Sequence, residues 1–173
     1  MNKQYARAFF DIAKEDNSLN DAKASFDVFV DVLKVNEDFW LVLNSPKIKL
    51  DEKKDMIKNA FKDCLEDFIL FLYVVLDNGR IDKIFDIHNE FIYLYNEENK
   101  IKIVDILSVS KLSNEEEKKL LDSLKKHYEG YEVIINNKID PKIIGGYHIL
   151  VNGVSMDLSI KRKIDNLQKH ILD

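Results

Sequence analysis

The sequence predicts an α+β protein in two parts: an all-α six-helix bundle over residues 1–99, then a small α+β domain over residues 100–173. Three observations predict it. As far as Asn99, apolar residues recur at helical spacing, and the only proline and glycine are Pro46 and Gly79. At Lys100 the period drops from 3.6 to 2, in "KIKIVDILSV". Farther on, "IDPKIIGGYHILVNGVSMDLSIKRKI" gathers an Asp-Pro, a double glycine, an Asn-Gly turn and a helix start into one run.

The elements follow in order. The first helix carries two adjacent apolar stripes, Tyr5, Phe9 and Ile12 beside Ala6, Phe10 and Ala13. After the "DNSLND" break, Ala22, Phe26, Phe29, Val30 and Leu33 mark a second helix. "EDFWLVLNSP" is a short third, ended because Pro46 pushes Ser45 toward extended geometry. A fourth starts near Asp51 and is expected to carry Met56, Ile57, Ala60, Phe61 and Cys64. The fifth runs from about Glu66 to Asp77, with Gly79 as a left-handed stop. The sixth starts near Ile81 and carries Ile84, Ile87, Phe91, Leu94 and Tyr95.

The second part reads β-α-β-β-β-α. Its first strand is expected to turn Ile101, Ile103, Leu107 and Val109 to one face. Ser113 and Glu116 form a capping box for the helix that follows, whose stripe is Leu120, Leu121, Leu124 and Tyr128. "YEVII" is a second strand. Tyr147–Val151 and Val154–Asp157 flank Asn152-Gly153, a hairpin signal because a type I′ turn needs positive φ at both positions. Ser159 caps a closing helix with Ile160, Ile164, Leu167 and Ile171 on its stripe.

Composition excludes several function classes. Charged residues make up 33% of the chain and the net charge is -5, which argues against a nucleic-acid-binding or polybasic membrane-binding role. One cysteine, Cys64, rules out an internal disulfide and a multi-cysteine metal site. The longest apolar run, Phe68–Leu76, is far short of the roughly 20 residues that span a bilayer. The opening "MNKQYARAFF" has neither a basic-then-apolar leader nor an Arg/Ser-rich transit stretch, so the expectation is a bacterial protein.

No catalytic constellation is legible. His88, His127, His148 and His170 are scattered, without a His or Cys one turn away to build a metal face. Cys64 has no base nearby in sequence and reads as a small core residue. Gly145-Gly146 lacks the context of a phosphate cradle and precedes a strand, not a helix. No metal and no cofactor are expected. Two helices nonetheless exceed what a self-contained bundle needs: the first is apolar over an unusually wide arc, and Phe68–Leu76 is apolar all round. Either the fifth helix is the central one, or the two form a groove for an amphipathic helix of a partner. In the closing helix, Lys161, Arg162 and Lys163 stand in the first turn, against the helix dipole. A solvated face or an acidic partner accounts for them.

Four stretches, in the right order and spacing across nearly the whole chain, resemble the delta subunit family of bacterial F-type ATP synthase, which includes the mitochondrial oligomycin-sensitivity-conferring protein. They are "YARAFFDIA", "FILFLYVVLDNGRIDKIFDIHNEFIYL", "VDILSVSKLSNEE" and "KIDPKIIGGYHILVNGVSMDLSIKRKIDNL". The last is the most specific; Leu158 departs from it, standing where the family usually has a glycine or other small residue. The resemblance implies a non-catalytic stator subunit. Its N-terminal domain holds the N-terminal helix of an alpha subunit in a groove built largely by the first and fifth helices. Its C-terminal domain meets the b-subunit peripheral stalk, and rotor torque is thereby coupled to ATP synthesis. Carried onto this chain, the alpha-subunit groove is expected at Tyr5, Ala8, Phe9 and Ile12 with Leu72, Val75, Leu76 and Asn78, and the b-stalk surface at Ile160, Arg162, Lys163, Leu167 and Ile171. Gly79, Gly145, Gly146 and Gly153 set turns. Membrane association is expected only through the complex, at the cytoplasmic face of the cell membrane. The alternative from another class is a ligand-binding regulatory protein, a helical bundle fused to an α+β module with a metabolite near Gly145-Gly146.

Overall fold

In the computed structural model the described residues are 2–141, 147–152 and 154–155. The chain forms two compact units, residues 1–95 and 96–173.

The first unit contains α1 (Asn2–Glu15), α2 (Leu19–Val35), α3 (Glu37–Asn44), α4 (Leu50–Ala60), α5 (Glu66–Asp77), a 3-10 turn (Ile81–Lys83) and most of α6 (Ile84–Glu98). Two helix ends close in the same way. Asn17 takes φ +54°, and Ser18 N–H donates to Ala13 O at 2.8 Å while Asn17 N–H donates to Lys14 O. Gly79 takes φ +62°, with Arg80 N–H on Val75 O and Gly79 N–H on Leu76 O, both at 2.9 Å. These paired bonds satisfy carbonyls that the last helical turn leaves open. The Asn36 side chain accepts Phe39 N–H at the start of α3. At the other end of α3, Ser45 is extended ahead of Pro46.

The helix carrying Met56 and Ile57 is shorter than its stripe suggests. It ends at Ala60, which puts Cys64 in the connection instead of on the helix. The chain has only Phe61–Leu65 in which to reverse into α5, and Ser25 Oγ holds the Leu65 N–H at 2.9 Å. Burial pushes the Cys64 thiol above its ordinary value, which favours its protonated form.

Phenylalanines fill the centre of this unit. Phe9, Phe26, Phe29, Phe68 and Phe91 are all fully buried, with Leu43, Ile57, Leu72, Ile84 and Ile87 around them. Each contributes on the order of 1.5–3 kcal/mol by leaving water.

In the second unit β1 (Ile101–Ser108) lies inside a four-stranded sheet of order β2-β1-β3-β4, with β2 (Glu132–Ile139), β3 (Tyr147–Val151) and β4 (Val154–Ser155). β1 and β2 run parallel, joined by α7 (Asn114–His127); β1–β3 and β3–β4 are antiparallel. The capping box at α7 is formed: Ser113 Oγ accepts Glu116 N–H, and the Glu116 carboxylate accepts Ser113 N–H. Asn152, at φ +49°, accepts Ile103 N–H on its side chain and donates its own N–H to Ile103 O.

The buried face of β1 is the opposite of the expected one. Val104, Ile106 and Ser108 are buried beneath α7, whereas Ile101, Ile103 and Leu107 are half-buried and Val109 is exposed. The register explains it. Val104 pairs with Ile135 and Val151, and Ile106 with Asn137 and Ile149, so one face collects β-branched residues from three strands. The other face carries Asp105, Glu132, Asn136, Lys138 and His148 among its apolar residues. Ser108 is tolerated inside because its hydroxyl donates to Ser110 O and accepts from Asn137 Nδ2, both at 2.7 Å.

The change of period falls at Asn99/Lys100, but the last turn of α6 packs with the second unit. There the Glu97 carboxylate binds Lys102, accepts from Asn152 Nδ2 at 3.3 Å, and accepts from Tyr131 Oη at 3.4 Å. The Lys102 ammonium also lies 4.5 Å from the Tyr131 ring centre.

Candidate functional site

The first and fifth helices meet through aromatic rings. Phe9 stacks on Phe71 with centroids 4.6 Å apart and planes 17° from parallel, and its ring also meets Phe68 at 5.6 Å, Phe91 at 5.3 Å and Phe26 at 6.2 Å. α6 runs antiparallel to α2, since His88 meets Asp27 and Tyr95 meets Asn20.

Four of the eight residues expected to line the groove are core residues. Phe9, Leu72, Val75 and Leu76 are at most 3% exposed, so no partner side chain reaches them. Leu72, Val75 and Leu76 join Phe68 on the face that α5 turns inward, and Phe9 of α1 packs against Phe68. Tyr5 is half-buried; Ala8 and Asn78 are exposed; Ile12 is 49% exposed. The Asn78 amide donates to Val74 O at 2.7 Å and belongs to the helix end.

Two residues absent from the expected set complete the surface. Leu70 and Val74, on α5, are 52% and 51% exposed. Val74 lies three residues beyond Phe71 and shares its flank, while Tyr5 and Ile12 lie one turn to either side of Phe9. The result is an apolar strip along the α1–α5 seam, formed by Tyr5, Ala8, Ile12, Leu70, Phe71 and Val74. The signal for Leu70 and Val74 was present: they sit opposite the 68-72-75-76 stripe. In a helix with no charged residue between Phe68 and Leu76, nothing in the sequence said which side faces out.

On the other flank of α1 a groove of about 540 Å³ is lined by Lys3, Gln4, Arg7, Ala8 and Asp11 with Glu90 and Leu94 of α6. Lys3–Glu90, at 3.4 Å, ties its two walls, and Arg7–Asp11, also 3.4 Å, is an i,i+4 pair along the α1 wall. Among the described residues no group of three His, Cys, Asp or Glu is placed to hold a metal, and no helix is long and apolar enough to cross a membrane. The surface can bind a helix; it presents no converging reactive groups. Ile160, Arg162, Lys163, Leu167 and Ile171 lie outside the described residues, as do Gly145, Gly146 and Gly153.

Comparison with known proteins shows the family of the chain. A family model described as "ATP synthase delta (OSCP) subunit" matches residues 1–171. The chloroplastic ATP synthase subunit delta of Galdieria sulphuraria is 33% identical over 165 residues, covering 95% of this chain and 93% of that one. ATP synthase subunit delta of Natranaerobius thermophilus is 30% identical over 169 residues, covering 98% and 94%. A chain in the cryo-EM structure of the Toxoplasma gondii mitochondrial ATP synthase hexamer shares the fold, with a TM-score of 0.76 at 19% identity over 100% of this chain and 98% of that one. The chain belongs to the ATP synthase delta (OSCP) subunit family, the non-catalytic subunits of the enzyme's peripheral stalk.

Proposed function

We propose that the α1–α5 strip receives the amphipathic N-terminal helix of an ATP synthase alpha subunit, and that the second unit meets the b-subunit stalk. The observation that carries the first half is the exposure of Ile12, Leu70 and Val74 along a seam whose core is otherwise sealed. Half-exposed branched side chains flanking an aromatic stack suit a partner helix presenting apolar residues at i, i+3, i+4 and i+7. On the stalk side, the support is the sequence pattern of Ile160, Arg162, Lys163, Leu167 and Ile171, a basic start to an apolar stripe. A chain held at both ends keeps the catalytic head from following the rotor, so torque goes into the catalytic sites. The complex holds it at the cytoplasmic face of the cell membrane.

Magnitudes bear on how the grip works. Three apolar anchors, each already about half-buried, contribute roughly 2–5 kcal/mol. Lost translational and rotational freedom costs about 4–15 kcal/mol. The apolar strip therefore cannot hold a helix firmly alone, and rim contacts matter.

The test is calorimetric titration of the full chain with a peptide of the alpha-subunit N-terminus. Ile12→Asp and Val74→Asp are expected to abolish the heat of binding while leaving the thermal transition in place. Undiminished affinity in both variants would reject the docking surface. For the stalk, charge reversal at Arg162 and Lys163 is expected to weaken capture of the b subunit, and indifference to the reversal counts against that assignment.

A further inference from the structure

β2 is the end strand of the sheet, and among the described residues no strand pairs with its outer edge. Its register with β1 runs unbroken from Ile101↔Glu132 to Ser108↔Ile139, so it holds no bulge, and no proline interrupts it. Glu132 N–H donates to Lys100 O at 2.7 Å, and Asp140 N–H donates to Ser108 O at 2.9 Å. In a parallel ladder alternate residues turn both backbone groups to the same neighbour. The even-numbered residues of β2 therefore bond to β1, and Val133, Ile135, Asn137 and Ile139 turn their N–H and C=O outward. Apolar side chains accompany that edge, with Ile134 41% and Ile139 60% exposed. Such an edge is a template for another strand.

We infer that the β2 edge takes β2 of a second copy of this chain, antiparallel and with Ile135 on the two-fold axis, joining the two sheets into one. The inference is independent of the docking proposed for the α1–α5 strip. What selects this occupant is the fit of the strand to itself. An antiparallel partner sets outward-turned residues opposite outward-turned residues, so the allowed registers differ by steps that keep this parity. With Ile135 opposite its own copy, Val133 faces Asn137, Ile139 faces Tyr131, and Glu132 faces Lys138, each pair twice by symmetry. The exposed Glu132 side chain has no ion pair or hydrogen bond among the described residues. Lys138 pairs with Asp105 at 3.0 Å, yet 60% of its side chain stays exposed and can meet a second carboxylate. One allowed slide sets Glu132 against Asp140, carboxylate on carboxylate; the opposite slide sets it against Asn136 and leaves Lys138 against Gly130. Only the register about Ile135 pairs opposite charges. It forms about six ladder bonds, a short seam, so the association is weak and belongs to the free chain at high concentration.

The experiment is sedimentation of the full chain from about 20 μM to about 1 mM in low salt. The mass is expected to rise from that of one chain toward that of two. Glu132→Lys sets lysine against lysine, and Lys138→Glu sets glutamate against glutamate, so each variant alone is expected to associate at least tenfold more weakly. An equimolar mixture of the two variants restores both opposite-charge pairs and is expected to recover the dimer. Both positions are exposed, and the thermal transition of each variant is expected to match the parent. A parent that keeps the mass of one chain throughout overturns the inference. So does a dimer that both variants leave intact, since it runs through another surface, and so does a mixture that fails to recover the dimer.

Discussion

Phe9 and Phe71 lie face to face, 4.6 Å between ring centres, and so join the inner core of the first unit to the strip on its surface. Phe9 is fully buried, whereas Phe71 is half-buried and flanked by Leu70 and Val74, both about half exposed. Two stacked rings on different helices therefore answer to different demands.

That division separates stability from binding. Phe9→Ala and Leu72→Ala are expected to cost about 3–5 and 2–5 kcal/mol, because each leaves a cavity among packed rings and branched chains. Ile12→Ala and Val74→Ala are expected to stay within about 0.5 kcal/mol of the parent. Urea unfolding of the four variants measures this, and a large loss at Val74 would mean that it is a core residue.

Asp27 ties α2 to α6. Its carboxylate accepts from Lys23 Nζ and from His88 Nε2, each at 2.6 Å. Burial pushes its pKa up, but the hydrogen bonds and charges of Lys23 and His88 outweigh it and hold the group below its ordinary 3.8. A carboxyl lowered by folding binds fewer protons in the folded chain. Its stabilisation is therefore in place above the ordinary value and fades as pH falls through the lowered one. Stability of the parent is expected to drop more steeply than that of Asp27→Asn as the pH is taken below about 4. Parallel acid limbs in the urea midpoints of the two proteins would remove the tie.

Asn137 holds the sheet to the segment entering α7. Its amide donates to Ile106 O at 3.1 Å and Ser108 Oγ at 2.7 Å, and its carbonyl accepts Leu112 N–H at 2.9 Å. Asn137→Ala strands part-buried polar atoms and is expected to cost about 1–3 kcal/mol. Hydrogen exchange at the Leu112 amide should accelerate in that variant; unchanged protection there would show that the bond matters little.

Gly79 ends α5 at φ +62°, with open space where a Cβ would stand. Gly79→Ala therefore meets no clash, and its expected cost of about 1–2 kcal/mol is the price of the left-handed backbone alone. Gly79→Asn is expected to recover part of it, since Asn17 already adopts that conformation at the end of α1. Equal melting temperatures for the parent and the alanine variant would contradict this.

Much of the fold was legible because its signals are local. The stop at Gly79, the break before Pro46, the Ser113–Glu116 box and the turn at Asn152 depend on residues within one turn of one another. The helical period and the change to alternation at Lys100 are likewise written in short windows, and they determine an α+β chain with a helical first part. Tertiary structure decided directions. Periodicity sets the angles between side chains on one element, not which way the element faces. In α5, apolar on every side, packing against α1, α2 and α4 chose Leu72, Val75 and Leu76 for the interior and left Leu70 and Val74 in water. In β1, both parities carry apolar residues, and the sum over β2 and β3 buried Val104 and Ile106 beneath α7. The candidate site rests on the first of these choices, because an outward face exists only relative to neighbours distant in sequence.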